Sequence, residues 1–435
     1  MFKLRAPDKL DIEAVERSTS PPLPDNSESM DGIFEEKVGY LPSSVEQVPN
    51  VAEQPHSSEA PETAEGVVHG ISRVQQFLRP MAIDTAARVG SFLVIYAIAV
   101  AERAPVTRLL RKWDGHWFLL AARTGYPSAI PAGHGPNAQS TLGFFPGFPL
   151  VIRGVAAVSG LGYEVSALVA VWVLGLAASV LVWKLLHSYE GVLEADIGTA
   201  FVFFSPAAFV LGMVYSEALL IATVAGCLLA LKRQQWLIAG LCGAVASLTD
   251  PLGVATFIPC AIAAVGAIRF GRNWRAILAP LLAPAGAVLF FCYLWVHTGT
   301  PFAYYIAQRR GWQGGTLGTG LTGPFVYIFQ HGFMGTDNIV KAFSTLGVAI
   351  LLAALLTKRR PDWPIAGYVI GALGLAVLSP IISWAPRVAL RAFPVLGFPL
   401  TRLRMPWVAL LLALSAILMC IIAVLAVGGY TPFTP

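Results

Sequence analysis

The chain has 435 residues, of which 56% are hydrophobic and 13% are charged, and its mean hydropathy is +0.65. Soluble globular domains carry about 25% charged residues, so the composition excludes a soluble protein and predicts an all-α, polytopic membrane protein. Residues 1–70 hold 14 of the 25 acids and 5 of the 30 bases, which gives them a net charge of −9, while the remainder carries +14. No nucleic-acid partner is expected.

The N-terminal segment, residues 1–75, is rich in Ser, Pro and Glu and poor in aromatic residues. Such a segment cannot bury enough apolar surface to offset the entropy lost on ordering. We therefore expect a disordered, acidic cytoplasmic tail that could contact a cytoplasmic partner, followed by a transmembrane domain at residues 76–435. No apolar run precedes Val67, so no signal peptide is expected.

The apolar segments predict about 11 membrane spans and one segment, residues 143–158, that dips into the membrane without crossing it. The first span covers about residues 80–102, and its polar residues Asp84 and Arg88 would have to extend to the cytoplasmic interface. The other spans are expected at 165–186, 197–214, 216–231, 236–249, 252–268, 276–296, 339–356, 364–382, 388–400 and 407–427.

The orientation follows from the bases in the short loops, because Lys and Arg mark the cytoplasmic side. The long loops 103–142 and 298–338 then face outward. The first of them contains four bases between Arg103 and Lys112, on the side where bases should be scarce, and these are candidates to contact an anionic lipid. The loops that carry the cytoplasmic bases are 232–233, 269–275, 358–360 and 402–404.

An acid among aromatic rings distinguishes the first external loop, in the segment RKWDGHWF at residues 111–118. A carboxylate in a partly desolvated pocket suits a general base, so Asp114 is a catalytic candidate. Alternatively, Asp114 pairs with Arg111 at i, i+3 or caps a short helix. Aromatic faces beside an acid suit a sugar, which makes Trp113 and Trp117 candidates, although an interfacial aromatic belt would supply the same rings.

The motif WDGHWF, with Gly125-Tyr126 after it, resembles the signature of the phosphatidylinositol-glycan class V type mannosyltransferases, which are membrane glycosyltransferases of the GT-C fold. The resemblance covers about residues 80–427. It implies a polyprenyl-phosphate-linked mannose donor, an extracytoplasmic active site and a catalytic acid at Asp114. The sequence departs from the pattern at Asp250, where a base is expected before the proline. The likeness continues in order through FFP at 144–146, SP at 205–206, YSE at 215–217, ASLT at 246–249, PR at 386–387 and AFP at 392–394.

Four further residues are candidates to bind the substrates. His116 could position the acceptor or hydrogen-bond Asp114, although a single His is more often structural. Tyr126 is a further candidate to stack against a sugar. Tyr215 and Glu217 lie near a membrane interface, where ionisable residues tend to be functional. Glu217 could bind mannose hydroxyls, or it could instead be a helix N-terminal acid that interacts with the macrodipole.

Arginines are the candidates to stabilise the leaving polyprenyl phosphate, whose negative charge grows in the transition state. Arg387 is the first choice, and Arg391 shares its face if the segment is helical. Arg153 is the third candidate, with snorkelling to lipid headgroups as its alternative role. The external loops contain no Asp-x-Asp, so we expect no metal site and no cofactor.

The sequence thus predicts an inverting mannosyltransferase that uses a polyprenyl-phosphate-mannose donor and a glycolipid or glycan acceptor. The chain contains no Asn-x-Ser/Thr sequon, which agrees with a bacterial plasma membrane and an outward-facing site. A transporter or lipid flippase is one alternative, and a non-catalytic GT-C relative that acts as a scaffold is another. The scarcity of acids at mid-depth and the lack of repeated halves argue against transport, and Asp114 argues against a scaffold.

Overall fold

The computed structural model describes residues 74–312, 336–359, 362–378, 385–401 and 403–429, together with Ser72 and the short pieces 325–326 and 328–330. For residues 336–341 and 358–359 only the backbone is described. The chain divides into two units, Met1–Val68 and His69–Pro435, and the description concerns the second. The predicted N-terminal tail up to residue 71 lies outside the described residues.

The described part of the second unit is built from helices and contains no strand. Glycines in the left-handed helical conformation end the helices Gly147–Ser159 and Ala285–Thr298, Gly160 with φ +71° and Gly299 with φ +79°, as is common at helix C-termini. The helices are α1 (Gln75–Ala101), α2 (Val106–Leu110), α3 (Asp114–Thr124), α4 (Gly147–Ser159), α5 (Tyr163–His187), α6 (Val192–Phe203), α7 (Glu217–Lys232), α8 (Trp236–Thr249), α9 (Phe257–Gly271), α10 (Leu278–Leu282), α11 (Ala285–Thr298), α12 (Ala303–Gly311), α13 (Thr336–Ala354), α14 (Trp363–Leu378), α15 (Ala385–Arg391), α16 (Pro394–Gly397) and α17 (Met405–Val427).

Four helical segments within the described ranges are long and apolar enough to cross a membrane: α1, α5, α17 and the segment Pro251–Gly271, which includes α9. The pair Trp274–Leu282 and Ala285–Thr298, bent by 43°, makes a fifth if it is one span. The expected number of about 11 is not confirmed. Several other apolar helices have 10–17 residues, fewer than the roughly 20 that a bilayer requires, and Pro394 begins a separate short helix inside the predicted span 388–400.

The surface of α17 shows why the unit belongs in a membrane. Leu410, Leu414, Ile417 and Ile421 recur at helical spacing and are 47–56% exposed. A continuous apolar stripe of this kind would be unfavourable in water, whereas it matches the acyl chains of a bilayer. The described unit is therefore an integral membrane protein.

At the centre of the packing lies α7, which contacts α5 and α8. Thirteen of its sixteen residues are buried, and they include Glu217 in its first turn. A helix that is apolar all round is suited to a core position. As a result, α7 brings the carboxylate of Glu217 into the interior of the protein.

The polar residues of α1 do not extend to an interface, and this expectation was wrong. Asp84 and Arg88 are 0% and 1% exposed, and Arg88 Nε donates to Asp84 Oδ1 over 2.8 Å. Arg88 Nη1 also donates to the Val171 carbonyl over 3.0 Å. Gly175 provides the space, since a Cβ there would lie 1.2 Å from Arg88 Nη2. Pairing and backbone hydrogen bonding offset part of the desolvation of the two charges, while Asp84 Oδ2 and Arg88 Nη2 have no hydrogen-bond partner among the described residues.

Candidate active site

Asp114 lies in the first turn of α3, directly after Trp113, whose φ is +60°. Gly115 allows α3 to approach the chain before α7, because a Cβ at this position would lie 3.1 Å from the Val214 carbonyl oxygen. The Val214 amide in turn donates to the Leu110 carbonyl over 2.9 Å. Main-chain contacts therefore hold the segments that carry Asp114 and Glu217 against each other.

Five charged side chains form a continuous chain of ion pairs, which we call the charge cluster. Arg387 Nη2 lies 2.7 Å from Asp114 Oδ2, and Arg387 Nε lies 2.5 Å from Glu217 Oε1. Arg391 Nη2 lies 2.9 Å from the same Glu217 oxygen, and Arg391 Nη1 lies 3.4 Å from Asp250 Oδ2. With three carboxylates and two guanidiniums, the cluster carries a formal net charge of −1.

Exposure is graded across the charge cluster. The side chain of Glu217 is fully buried, and those of Asp250, Arg387 and Arg391 are 6%, 10% and 15% exposed. Asp114 is 26% exposed. A carboxylate as buried as Glu217 requires partners, which Arg387 and Arg391 supply to Oε1. Asp114 is therefore the carboxylate of the cluster that a substrate can reach most readily.

The two arginines lie on one face of α15, since residues four apart on a helix are neighbours. The guanidinium carbon of Arg387 lies 4.8 Å from the ring centroid of Tyr215, a cation–π contact. The Tyr368 hydroxyl donates to the Arg391 carbonyl over 2.8 Å at the end of the helix. Side chains from α14 and from the segment before α7 thus support α15.

Asp250 is the member of the cluster that sequence reasoning missed. Its Oδ1 accepts a hydrogen bond from the Leu252 amide over 2.8 Å, which caps the 3₁₀ turn Pro251–Thr256. Its Oδ2 faces Arg391. One signal was available, because Asp250 is the only acid between Glu217 and Asp337 in a strongly apolar stretch.

Three aromatic side chains, Trp117, Phe144 and Trp312, form an aromatic group beside Asp114, at the exposed end of the cluster. Trp117 follows Asp114 by three residues on α3, so the two side chains share a face. The Trp117 ring stacks on Phe144 with centroids 6.0 Å apart and meets Trp312 edge-on at 5.6 Å. His116 is exposed and contacts Trp117 at 5.3 Å. The sequence did not indicate Trp312, which lies 195 residues after Trp117.

Tyr304 on α12 is a further aromatic neighbour of the cluster. Its ring packs edge-on against Phe145 at 5.1 Å and Phe291 at 6.2 Å. Burial raises the pKa of Tyr304, and the negative charge of Asp250 raises it further. The phenol thus stays neutral.

Three predicted substrate-binding residues make structural contacts instead of joining the cluster. The Trp113 indole donates to the Ala426 carbonyl over 3.0 Å, at the end of α17. The Tyr126 hydroxyl donates to the Phe144 carbonyl over 3.1 Å. Arg153 Nε donates to the Ala122 carbonyl over 2.6 Å, near the end of α3 and about 12 Å along the helix from Asp114.

Three bases of the first external loop, Arg111, Lys112 and Arg123, also have partners. Arg111 and Arg123 both pair with Glu164 at the start of α5, so Arg111 is not the partner of Asp114. Lys112 Nζ donates to the Val427 carbonyl over 2.6 Å. Among the side chains that the structure describes, no group of three His, Cys, Asp or Glu is placed to hold a metal ion.

No protein-family model matches the sequence, and no curated protein matches it. Among solved structures, the chain is similar to ArnT from Cupriavidus metallidurans, whose crystal structure contains undecaprenyl phosphate. The identity is 18% and the TM-score is 0.44, with 69% of this chain and 57% of that chain covered. The chain spans little more than half the length of that structure, and a similarity of this extent assigns neither an activity nor a substrate.

Proposed function

We propose that the chain is a GT-C type membrane glycosyltransferase, which transfers mannose from a polyprenyl-phosphate donor to a glycolipid or glycan acceptor on the extracytoplasmic face. One observation carries the proposal: Asp114, Glu217 and Arg387 come from three separate motifs of the resemblance and meet in one cluster. Asp114 lies at its accessible end. A bacterial plasma membrane is the proposed location.

In the proposed reaction, Asp114 is the general base. The acceptor hydroxyl gives its proton to the Asp114 carboxylate while its oxygen attacks the anomeric carbon of mannose. The bond between that carbon and the phosphate oxygen breaks, and polyprenyl phosphate leaves with the electron pair. Inversion of a β-linked donor gives an α-mannoside.

Arg387 connects the two charges that change in this reaction. Before transfer it pairs with Asp114 over 2.7 Å, which orients the carboxylate. When Asp114 accepts the proton, its negative charge disappears as negative charge grows on the departing phosphate. Arg387 then has charge available to stabilise the leaving group, while Glu217 holds its Nε in place.

The aromatic group supplies a proposed sugar contact. Trp117 offers apolar ring surface about one helical turn from Asp114, Trp312 extends that surface through its contact with Trp117, and the exposed His116 offers a hydrogen-bonding group beside it. A hexose presents C–H faces to such rings and hydroxyls to polar neighbours. We assign the sugar contact to these residues and not to Trp113, whose indole N–H already binds the end of α17.

The test is mannose transfer from polyprenyl phosphate mannose, measured in membranes that contain Asp114→Asn. Removal of a general base should lower kcat by roughly 10²- to 10⁴-fold. Glu164→Gln is the matched control, because Glu164 lies on the same predicted side and, like Asp114, is paired with arginine, but it lies outside the cluster. Full activity of Asp114→Asn would exclude Asp114 as the base.

The transporter alternative has one observation in its favour. Asp84 and Arg88 form a buried ion pair within a candidate span, and intramembrane charges often mark transport paths. Wild-type protein in liposomes distinguishes the two functions: sugar transfer without solute or lipid flux supports the transferase, and flux without transfer supports the transporter.

A further inference from the structure

A cavity of about 260 Å³ lies between α1, α2, α5 and the 3₁₀ turn Ala208–Gly212. None of its lining residues belongs to the charge cluster. Phe92 on its wall is 37% exposed on the surface of α1, a candidate membrane span. The residues that line it are Arg88, Phe92, Leu110, Leu168, Trp172 and Gly212.

The walls of the cavity favour an uncharged, apolar occupant. Arg88 is its one charged residue, and Asp84 neutralises that charge through the 2.8 Å ion pair. The Arg88 guanidinium also lies against Trp172, 5.2 Å from the ring centroid. The remaining lining residues carry no charge. A lipid headgroup with its own charge would find no counter-charge here, whereas a hydrocarbon chain would replace water against apolar walls.

The position of the cavity relates it to the proposed active site. Leu110 precedes Asp114 by four residues, and Gly212 precedes Glu217 by five. The hydrogen bond from the Val214 amide to the Leu110 carbonyl ties these two segments together at 2.9 Å. The cavity therefore adjoins the two segments that lead to Asp114 and to Glu217. Phe92 connects it to the lipid-facing surface of α1.

We propose that this cavity binds the part of the donor's isoprenoid chain that lies next to the phosphate. The inference rests on the proposed function. At about 260 Å³, the cavity is smaller than the roughly 300–1,000 Å³ of sites that enclose a whole drug-sized ligand. It therefore holds a short stretch of chain, and the rest of the lipid extends along the protein surface into the bilayer. This contact would align the phosphate with Asp114 before transfer.

Substitutions at Gly212 can test the cavity, because a side chain added there would enter it. A Cβ at Gly212 would meet Ser91 Oγ at 3.5 Å, an ordinary contact, so Gly212→Ala should be tolerated and Gly212→Leu should fill the cavity. Gly90→Leu is the matched control, because it adds the same side chain to α1 where a Cβ has no neighbour within 4 Å. Leu168→Phe fills the cavity from α5 and replaces Gly212→Leu if that variant does not fold.

The first measurement is photolabelling in liposomes with two diazirine probes at equal mole fraction, a polyprenyl phosphate and a phosphatidylglycerol with a labelled acyl chain. The polyprenyl probe should label peptides that contain Phe92 or Leu168 in the wild type and in Gly90→Leu, and about tenfold less in Gly212→Leu. Equal labelling by the acyl probe, or undiminished labelling in both cavity-filling variants, would overturn the inference.

The second measurement separates this inference from the proposed function. Gly212→Leu should raise KM for polyprenyl phosphate mannose about tenfold, Gly212→Ala should raise it less, and Gly90→Leu should leave it unchanged. Transfer with a normal KM in folded Gly212→Leu and Leu168→Phe would refute the cavity assignment and leave the transferase standing. Specific photolabelling without any sugar transfer would support the lipid site and refute the proposed function.

Discussion

Two groups of buried charges lie in the described unit, and they are built differently. The Asp84–Arg88 pair comes from one helix, with its partners four residues apart and both at most 1% exposed. The charge cluster is assembled from α3, α7, α15 and the chain after α8, and it ends in the 26% exposed Asp114. The first group is neutral, whereas the second carries one excess negative charge.

The comparison distinguishes an ion pair that only stabilises the fold, in α1, from a charge cluster whose exposed carboxylate can contact a substrate. In the α1 pair the two charges neutralise each other within one helix, while Asp84 Oδ2 and Arg88 Nη2 have no hydrogen-bond partner among the described residues. In the charge cluster the two arginines are shared among three acids, and Arg387 divides its guanidinium between Asp114 and Glu217. In the proposed reaction, a proton accepted by Asp114 would therefore change the charge balance of the entire cluster.

The largest effect is expected for Arg387→Ala, which leaves Asp114 without its guanidinium and Glu217 with one instead of two. Breaking a buried pair by removing one partner lowers the free energy of unfolding by about 3–5 kcal/mol, and the loss of transition-state charge stabilisation should lower kcat by at least about 10²-fold. Thermal unfolding in detergent and mannose transfer are the measurements.

Two further variants serve as controls for Arg387→Ala. Arg309→Ala removes an exposed guanidinium on α12 and should change the free energy of unfolding by less than about 0.5 kcal/mol. Arg387→Lys keeps the charge without the fork geometry and should recover part of the stability. Wild-type stability in Arg387→Ala would show that the cluster is not held together by its ion pairs.

The second prediction concerns the neutral pair in α1. Asp84→Asn alone leaves Arg88 buried without a counter-charge and should lower the free energy of unfolding by about 3–5 kcal/mol. The double variant Asp84→Leu/Arg88→Met removes both charges and should be as stable as the wild type or more stable. If the double variant is less stable than Asp84→Asn, the pair is not a self-contained unit, and the contrast with the charge cluster fails.

The smallest effect is expected for Asp250→Asn. The amide keeps an oxygen for the Leu252 amide, while Arg391 loses only its 3.4 Å contact and retains two hydrogen bonds to Glu217. The loss of one weak charged contact, about 1 kcal/mol, should lower kcat roughly three- to tenfold. A decrease as large as that of Asp114→Asn would place Asp250 in the chemical step.

Long apolar runs made several helices predictable from sequence. The predicted spans 165–186, 236–249 and 407–427 differ by two residues or fewer at each end from α5, α8 and α17. The number of spans was not predictable in this way, because an apolar segment can be a buried core helix as well as a span. The segment α7 shows this, since 16 residues bury almost their entire surface against protein.

The candidate site was predictable where motifs existed. Asp114, Glu217, Arg387 and Arg391 were named from sequence, and the structure brings them together. Asp250 was missed because its partner Arg391 lies 141 residues away and no local pattern links them. The i, i+4 spacing of Asp84 and Arg88 is typical of an ion pair within one helix. It was not used as a prediction, because both side chains were expected to extend to the membrane interface.

The end of α17 has a consequence for the first external loop. A helix leaves its last carbonyls without partners inside the helix, and here Trp113 and Lys112 bind those of Ala426 and Val427. Residues more than 300 positions apart are thus joined directly in front of Asp114. A helix whose sequence indicates only a lipid-facing span thereby sets the starting point of the loop that carries the proposed base.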